Sequence, residues 1–119
     1  MQDNWNAYLK SLSPALRELR VGSPEVMKGF SGIAQAALKP QVLDTKTKEL
    51  IALAISVAVR CDDCIGFHVK GAMDQGASRE EIFETLGTAI YLGAGSSVMY
   101  AGHAIEAFDQ MKDQQAAVA

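Results

Sequence analysis

The sequence predicts an all-α protein. Apolar residues recur at helical spacing along nearly the whole chain, no stretch alternates apolar and polar residues long enough for a strand, and helix-start signals follow one another at short intervals. At 119 residues the chain fits a single domain over 1–119, with its core expected at about 20–112. A chain of this size buries roughly two-thirds of its unfolded surface. Hydrophobic residues make up 49% and charged residues 21%, which excludes disorder and low complexity.

Helices are expected at 3–12, 14–20, 24–38, 45–59, 62–75, 79–92 and 95–112. The first two read equally as one helix interrupted at Ser13-Pro14. Ser23-Pro24-Glu25 places an N-cap before a proline at the first helical position, where its missing N–H costs nothing. Lys39-Pro40 is a stop. Asp44 then precedes Thr45 and a dense apolar run, Leu50 to Val59, which is apolar almost all round and is expected to be buried on most sides. Asp62 reads as an N-cap, and Gly76-Ala77 as the next stop. Ser78-Arg79-Glu80-Glu81 is a capping box ahead of Ile82, Phe83, Leu86, Ala89 and Ile90. The small residues Gly93, Gly95, Ser96, Ser97, Ala101 and Gly102 allow close helix approach, and Gln114 to Ala119 are expected to fray. Trp5, Met27, Phe30, Met73 and Met99 read as core or oligomer contacts. Short linkers predict antiparallel neighbours. Two such apolar helices need more cover than one short chain supplies, so a homo-oligomer is expected.

Eleven Lys and Arg against fourteen Asp and Glu give a net charge of −3, which argues against nucleic-acid binding and against anionic membranes. No basic n-region or apolar h-region opens the chain. The longest uncharged run, Thr85 to Gly102, holds four glycines, two serines and two threonines, too polar to span a bilayer. The expected location is the cytoplasm, where thiols stay reduced unless they turn over catalytically.

Both cysteines fall in Arg60-Cys61-Asp62-Asp63-Cys64-Ile65-Gly66-Phe67-His68. On an ideal helix Cys61, Cys64 and His68 share about 60° of arc. Ile65, Val69 and Ala72 lie beside that arc, and Asp63, Lys70 and Asp74 lie opposite. The sulfurs are thus expected at a core-facing edge, half sheltered from water. A free cysteine is only about 3% thiolate at pH 7. Making it mostly thiolate takes roughly 2.7 kcal/mol, of which a helix N-terminus contributes ~0.3–1. A nearby base must supply the rest, and His68, one turn after Cys64, is the nearest candidate. Asp62 and Asp63 oppose ionisation. A second cysteine traps a sulfenic acid as a disulfide before over-oxidation.

Other readings stay open on the residues alone. Cys61, Cys64 and His68 are three ligands of a structural zinc site that needs a fourth from His103, Glu49 or an aspartate. Buried inert thiols in a non-catalytic scaffold need no chemistry at all. Thioredoxin-type placement is excluded, because a helix and not a strand precedes the motif. Gly93-x-Gly95 follows no strand and lacks a third glycine, so it is no dinucleotide loop. His103, among small residues, reads as a packing or interface histidine. Glu49 reads most simply as a first-turn glutamate complementing the helix dipole. Its alternative is a partner for His68 across a helical hairpin, the two lying about 16 Å and 10 Å from the turn.

Glu49, then Cys61-x-x-Cys64-x-x-x-His68, on an all-helical chain of this size, resembles the AhpD-like branch of the carboxymuconolactone decarboxylase family. The flanks Lys48 to Ala54, Gly71-Ala72 and Gly76 to Ile82 agree, and the resemblance covers about residues 20 to 110. It implies an all-α bundle around an antiparallel helical hairpin, in trimers or hexamers. It implies alkyl hydroperoxide reduction or disulfide exchange, with Cys61 and Cys64 cycling between dithiol and disulfide and Glu49 and His68 as proton relay. Cys64 is the sulfur assigned to deprotonation through His68. The partners implied are a small hydroperoxide and a thiol or dithiol reductant of thioredoxin-like or lipoyl type, with no cofactor and no metal. The decarboxylase branch lacks the cysteine pair. The best-studied peroxidase type has a histidine immediately before the second cysteine, where this chain has Asp63.

Overall fold

Side-chain caps or prolines mark where the helices begin, and a computed structural model, which describes residues 3–118, shows each start. Asn4 is extended and accepts the Ala7 N–H, opening α1 (Trp5–Ser11). α2 (Ser13–Gly22) follows after Leu12 alone, with Pro14 in its first turn, so the expected interruption is a joint between two helices. α3 (Pro24–Leu38) starts at its proline, but Ser23 makes no capping hydrogen bond. α4 (Thr45–Ala58) starts from Asp44, which accepts the Thr47 N–H at 2.7 Å. α5 (Asp62–Asp74) ends at Gln75 and Gly76, the latter at φ +84°, where a side chain would be strained. Ser78 and Glu81 exchange backbone-to-side-chain bonds of 2.9 and 3.1 Å at the head of α6 (Arg79–Val118).

Two expectations about the elements change. The helices expected at 79–92 and 95–112 are both present along α6, parted at Ala94, whose φ 57° and ψ −143° between two glycines are not helical. Fraying from Gln114 does not occur: helix continues through Val118, in a tail of helix-favouring Gln and Ala, and Ala119 lies outside the described residues. The N-cap of α5 is Cys61, not Asp62. The chain turns through Arg60 at φ 60°, leaving Cys61 extended and Asp62 already helical.

The core is built by α4, α5 and α6, with α1 laid across α5 and α6. Leu53 and Val57 of α4 meet Ile65 and Val69 of α5 and Ile82 and Leu86 of α6, and Trp5 and Leu9 close the other side. Of the expected core or oligomer contacts, Trp5 and Met73 are buried, Met27 is half-buried, and Phe30 and Met99 are exposed. Leu50–Val59 is not buried on most sides. Glu49, Leu53, Ser56 and Val57 face inward, while Ile51, Ile55 and Val59 form an exposed stripe at helical spacing, because α5 and α6 cover only one side of α4. α2 and α3 bury no residue, and Val26, Phe30 and Ile33 stand open on α3. Among the small residues, Gly93 permits close approach to Ala58 and Ser97, whereas Gly95 and Gly102 face open space. Among the described residues no helix is long and apolar enough to cross a membrane.

Candidate active site

The connection between α4 and α5 is three residues long, so the two helices double back and lie side by side. Cys61 caps α5, its Sγ accepting the Cys64 N–H at 3.2 Å. The same geometry brings the two cysteines to a Cα–Cα distance of 5.3 Å, within the range a disulfide needs, and they are bonded to each other. Both are half-buried, as a thiol pair at a core-facing edge should be.

Glu49 is buried, and its Oε1 lies 2.7 Å from His68 Nδ1. The first-turn dipole reading of Glu49 is therefore replaced by the cross-hairpin one. Glu49 stands nine residues before the end of α4, and Gly71 nine residues after the start of α5, so the two are level. A Cβ on Gly71 would overlap the carboxylate, 2.6 Å from its Cδ. The carboxylate occupies the space that glycine leaves and bonds the imidazole of the turn before. A carboxylate oxygen accepts, so Nδ1 is the donor in this pair and Nε2 is not engaged by Glu49. Such a pair can hold an imidazole in one orientation.

The two aspartates of the motif are also engaged. Asp62 Oδ1 is 3.0 Å from His103 Nδ1, so His103 is more than a packing residue, though its ring also lies 4.7 Å from that of Tyr100 and 6.2 Å from that of Trp5. Asp63 was placed by helical arc on the outer face with Lys70 and Asp74; it is instead half-buried and accepts the Tyr8 hydroxyl, because α1 crosses over the first turn of α5. Lys70 and Asp74 do stay outside, paired with each other at 3.0 Å. Among the described residues no three His, Cys, Asp or Glu side chains group so as to hold a metal ion. Gly71, Tyr8 and His103 are the site residues that spacing did not reveal. Only the small residue at 71, one turn beyond His68, offered a signal.

Fold and site together define an all-α protein with a Cys-x-x-Cys disulfide at the mouth of a helical hairpin and a Glu–His pair one turn further on. The chain belongs to the carboxymuconolactone decarboxylase family, whose model matches residues 24–107. It is 37% identical to an uncharacterized protein of Haemophilus influenzae over 112 residues, 94% of this chain and 99% of that one. It is 40% identical to one of Cupriavidus necator over 88 residues, 74% and 78% of the two chains. Among solved structures it is similar to the apo form of a carboxymuconolactone decarboxylase family protein from Legionella pneumophila (49% identity, TM-score 0.88, covering 92% and 97%). A Thermotoga maritima family member suggested to take part in the antioxidative response is also similar (31% identity, TM-score 0.82, 91% and 92%).

Proposed function

We propose that this protein is an AhpD-like thiol-dependent peroxidase or disulfide oxidoreductase that reduces alkyl hydroperoxides through Cys61 and Cys64, with Glu49 and His68 as proton relay. The observation that supports it most is the bonded cysteine pair one helical turn in sequence from a histidine whose Nδ1 is held by a buried carboxylate. In the dithiol form Cys64 gives its proton to His68 Nε2, and the thiolate attacks one peroxide oxygen. The O–O bond breaks, the alkoxide takes the proton from His68 and leaves as alcohol, and Cys64 becomes a sulfenic acid. Cys61 sulfur then attacks Cys64 sulfur, the S–S bond forms, and hydroxide leaves with the Cys61 proton as water. An external dithiol, of thioredoxin-like or lipoyl type, returns two electrons. Its attack on Cys64 releases Cys61 as a thiolate, which the Cys64 N–H and the start of α5 stabilise as leaving group.

The likeness to a family member suggested to act in the antioxidative response agrees with this reading. The open apolar stripe of α4 and the unburied face of α3 support a homo-oligomer, a trimer or hexamer by family resemblance. The redox cycle fits a cytoplasmic site, where reductant is at hand. The reduced protein, treated with one equivalent of alkyl hydroperoxide and mapped by mass spectrometry, is expected to yield one alcohol and one Cys61–Cys64 disulfide per chain. Free thiols beside unconsumed peroxide would refute the proposal.

A further inference from the structure

Tyr8 lies on α1, outside the span 24–107 that the family model matches, yet it reaches the middle of the cysteine motif. Its hydroxyl donates to Asp63, the residue before Cys64. α1 is seated firmly there. Trp5 is fully buried, its indole N–H donating to Glu106 at 3.0 Å and its backbone N–H to Gln110 at 2.6 Å. Trp5 and Leu9 lie against Gly66, between Cys64 and His68, where a Cβ would come within 2.6 Å of Leu9 Cδ2 and 3.3 Å of the Trp5 ring. The helix is thus keyed into the motif twice, by an apolar contact at Gly66 and a polar one at Asp63.

We propose that Tyr8 is a positioning residue for the cysteine pair that acts through Asp63, its hydroxyl taking up carboxylate charge that would otherwise oppose thiolate formation at the neighbouring sulfur. The inference rests on the thiol reading of the site. A carboxylate beside a thiol disfavours the thiolate, and a charge-assisted hydrogen bond draws that charge toward its donor. The charged and titratable groups around the cysteines are Tyr8 from α1, Glu49 from α4, Arg60 in the connection, Asp62, Asp63 and His68 on α5, and His103 from α6. Each aspartate of the motif meets a donor from another helix, Asp62 through His103 and Asp63 through Tyr8. The bond to Asp63, together with burial, pushes the Tyr8 phenol up to about 12, so Tyr8 remains a donor wherever a thiol titrates. It follows that the acidic residue found in place of the peroxidase-type histidine has part of its charge offset from within the chain.

The test is the pH dependence of alkylation of the fully reduced protein, read at each cysteine by mass spectrometry, in wild type, Tyr8→Phe, Asp63→Asn and the double variant. Tyr8→Phe keeps the ring and is expected to raise the thiol midpoint by about half a pH unit, whereas Asp63→Asn lowers it by about one. In the double variant the loss of the hydroxyl has no further effect, because its target charge is gone. A wild-type midpoint in Tyr8→Phe, or an equal rise with and without the Asp63 carboxylate, overturns the proposal. Asp63→Asn leaves α1 intact, and an unmoved midpoint there overturns it even if Tyr8→Phe does not fold. No peroxide enters the measurement, so failure of the peroxidase reading and failure of this inference are separate results.

Discussion

Glu49 and Gly71 face each other across the hairpin, and the carboxylate of one fills the space where the other has no side chain. A methyl group at 71 meets the flexible end of Glu49, so the fold yields while the carboxylate moves off His68.

Gly71→Ala therefore reverses an ordinary expectation. Alanine for glycine inside a helix stabilises by about 1 kcal/mol, and Gly87→Ala, which meets nothing, should do so. Gly71→Ala should show no such gain in thermal unfolding and should slow peroxide reduction about tenfold. Glu49→Asp, one methylene shorter, should restore part of the rate in the Gly71→Ala background. A Gly71→Ala protein with wild-type kinetics would show that the slot is not needed.

In the proposed relay His68→Ala removes the base, and Glu49→Gln replaces the carboxylate that holds its Nδ1 with a neutral amide. Each should cut the peroxide-dependent rate by roughly 10² to 10⁴ near neutral pH. The His68→Ala rate should recover as rising pH ionises the thiol without help. Stopped-flow consumption of hydroperoxide across pH 5 to 10 reads this directly, and a parallel pH profile in both variants would remove the relay.

The cysteines should be unequal. Cys61→Ser is expected to complete one turnover and stop, with a dimedone-reactive sulfenic acid at Cys64. Cys64→Ser is expected to consume no peroxide. The reverse pattern, read by mass spectrometry, would exchange their roles.

On the acid side, the Arg79 guanidinium holds the Asp109 carboxyl below its usual range through bonds of 2.8 and 3.0 Å. Because the folded chain binds that proton less readily than the unfolded one, the contribution is present above the ordinary carboxylate range and is lost as pH falls through the lowered value. Arg79→Gln should be less stable than wild type in urea at pH 7 and equal to it near pH 2. Both side chains are about half exposed, so the difference should be small and should shrink in salt.

On the alkaline side the sign reverses. Tyr8 ionises at about 12 in the folded chain against the ordinary 10, so the folded state holds its proton longer. Its contribution is complete below pH 10 and is lost between 10 and 12. Tyr8→Phe should flatten the loss of stability over that interval, measured by urea unfolding at pH 9 to 12.

Much of the fold was legible because its signals are local. Asp44, the Ser78–Glu81 box and Gly76 act on backbone groups within a few residues, and each does what its chemistry implies. Local rules failed where the chain meets itself. Helical arc put Asp63 outside, but α1, some fifty-five residues earlier, crosses that face. Axial arithmetic left Glu49 and His68 at different heights. It could not foresee that a glycine level with Glu49 would let the carboxylate lie against α5.

By itself the sequence determined the all-α class, most helix starts, and the closeness of Cys61 and Cys64, since residues three apart at a helix start are neighbours. Only the tertiary structure decided that Glu49 pairs with His68, that Tyr8 and His103 engage the motif's aspartates, and that α4 keeps one apolar side open. Those are contacts between helices, set by packing and by the absence of a side chain at Gly66 and Gly71, and no spacing within one segment encodes them.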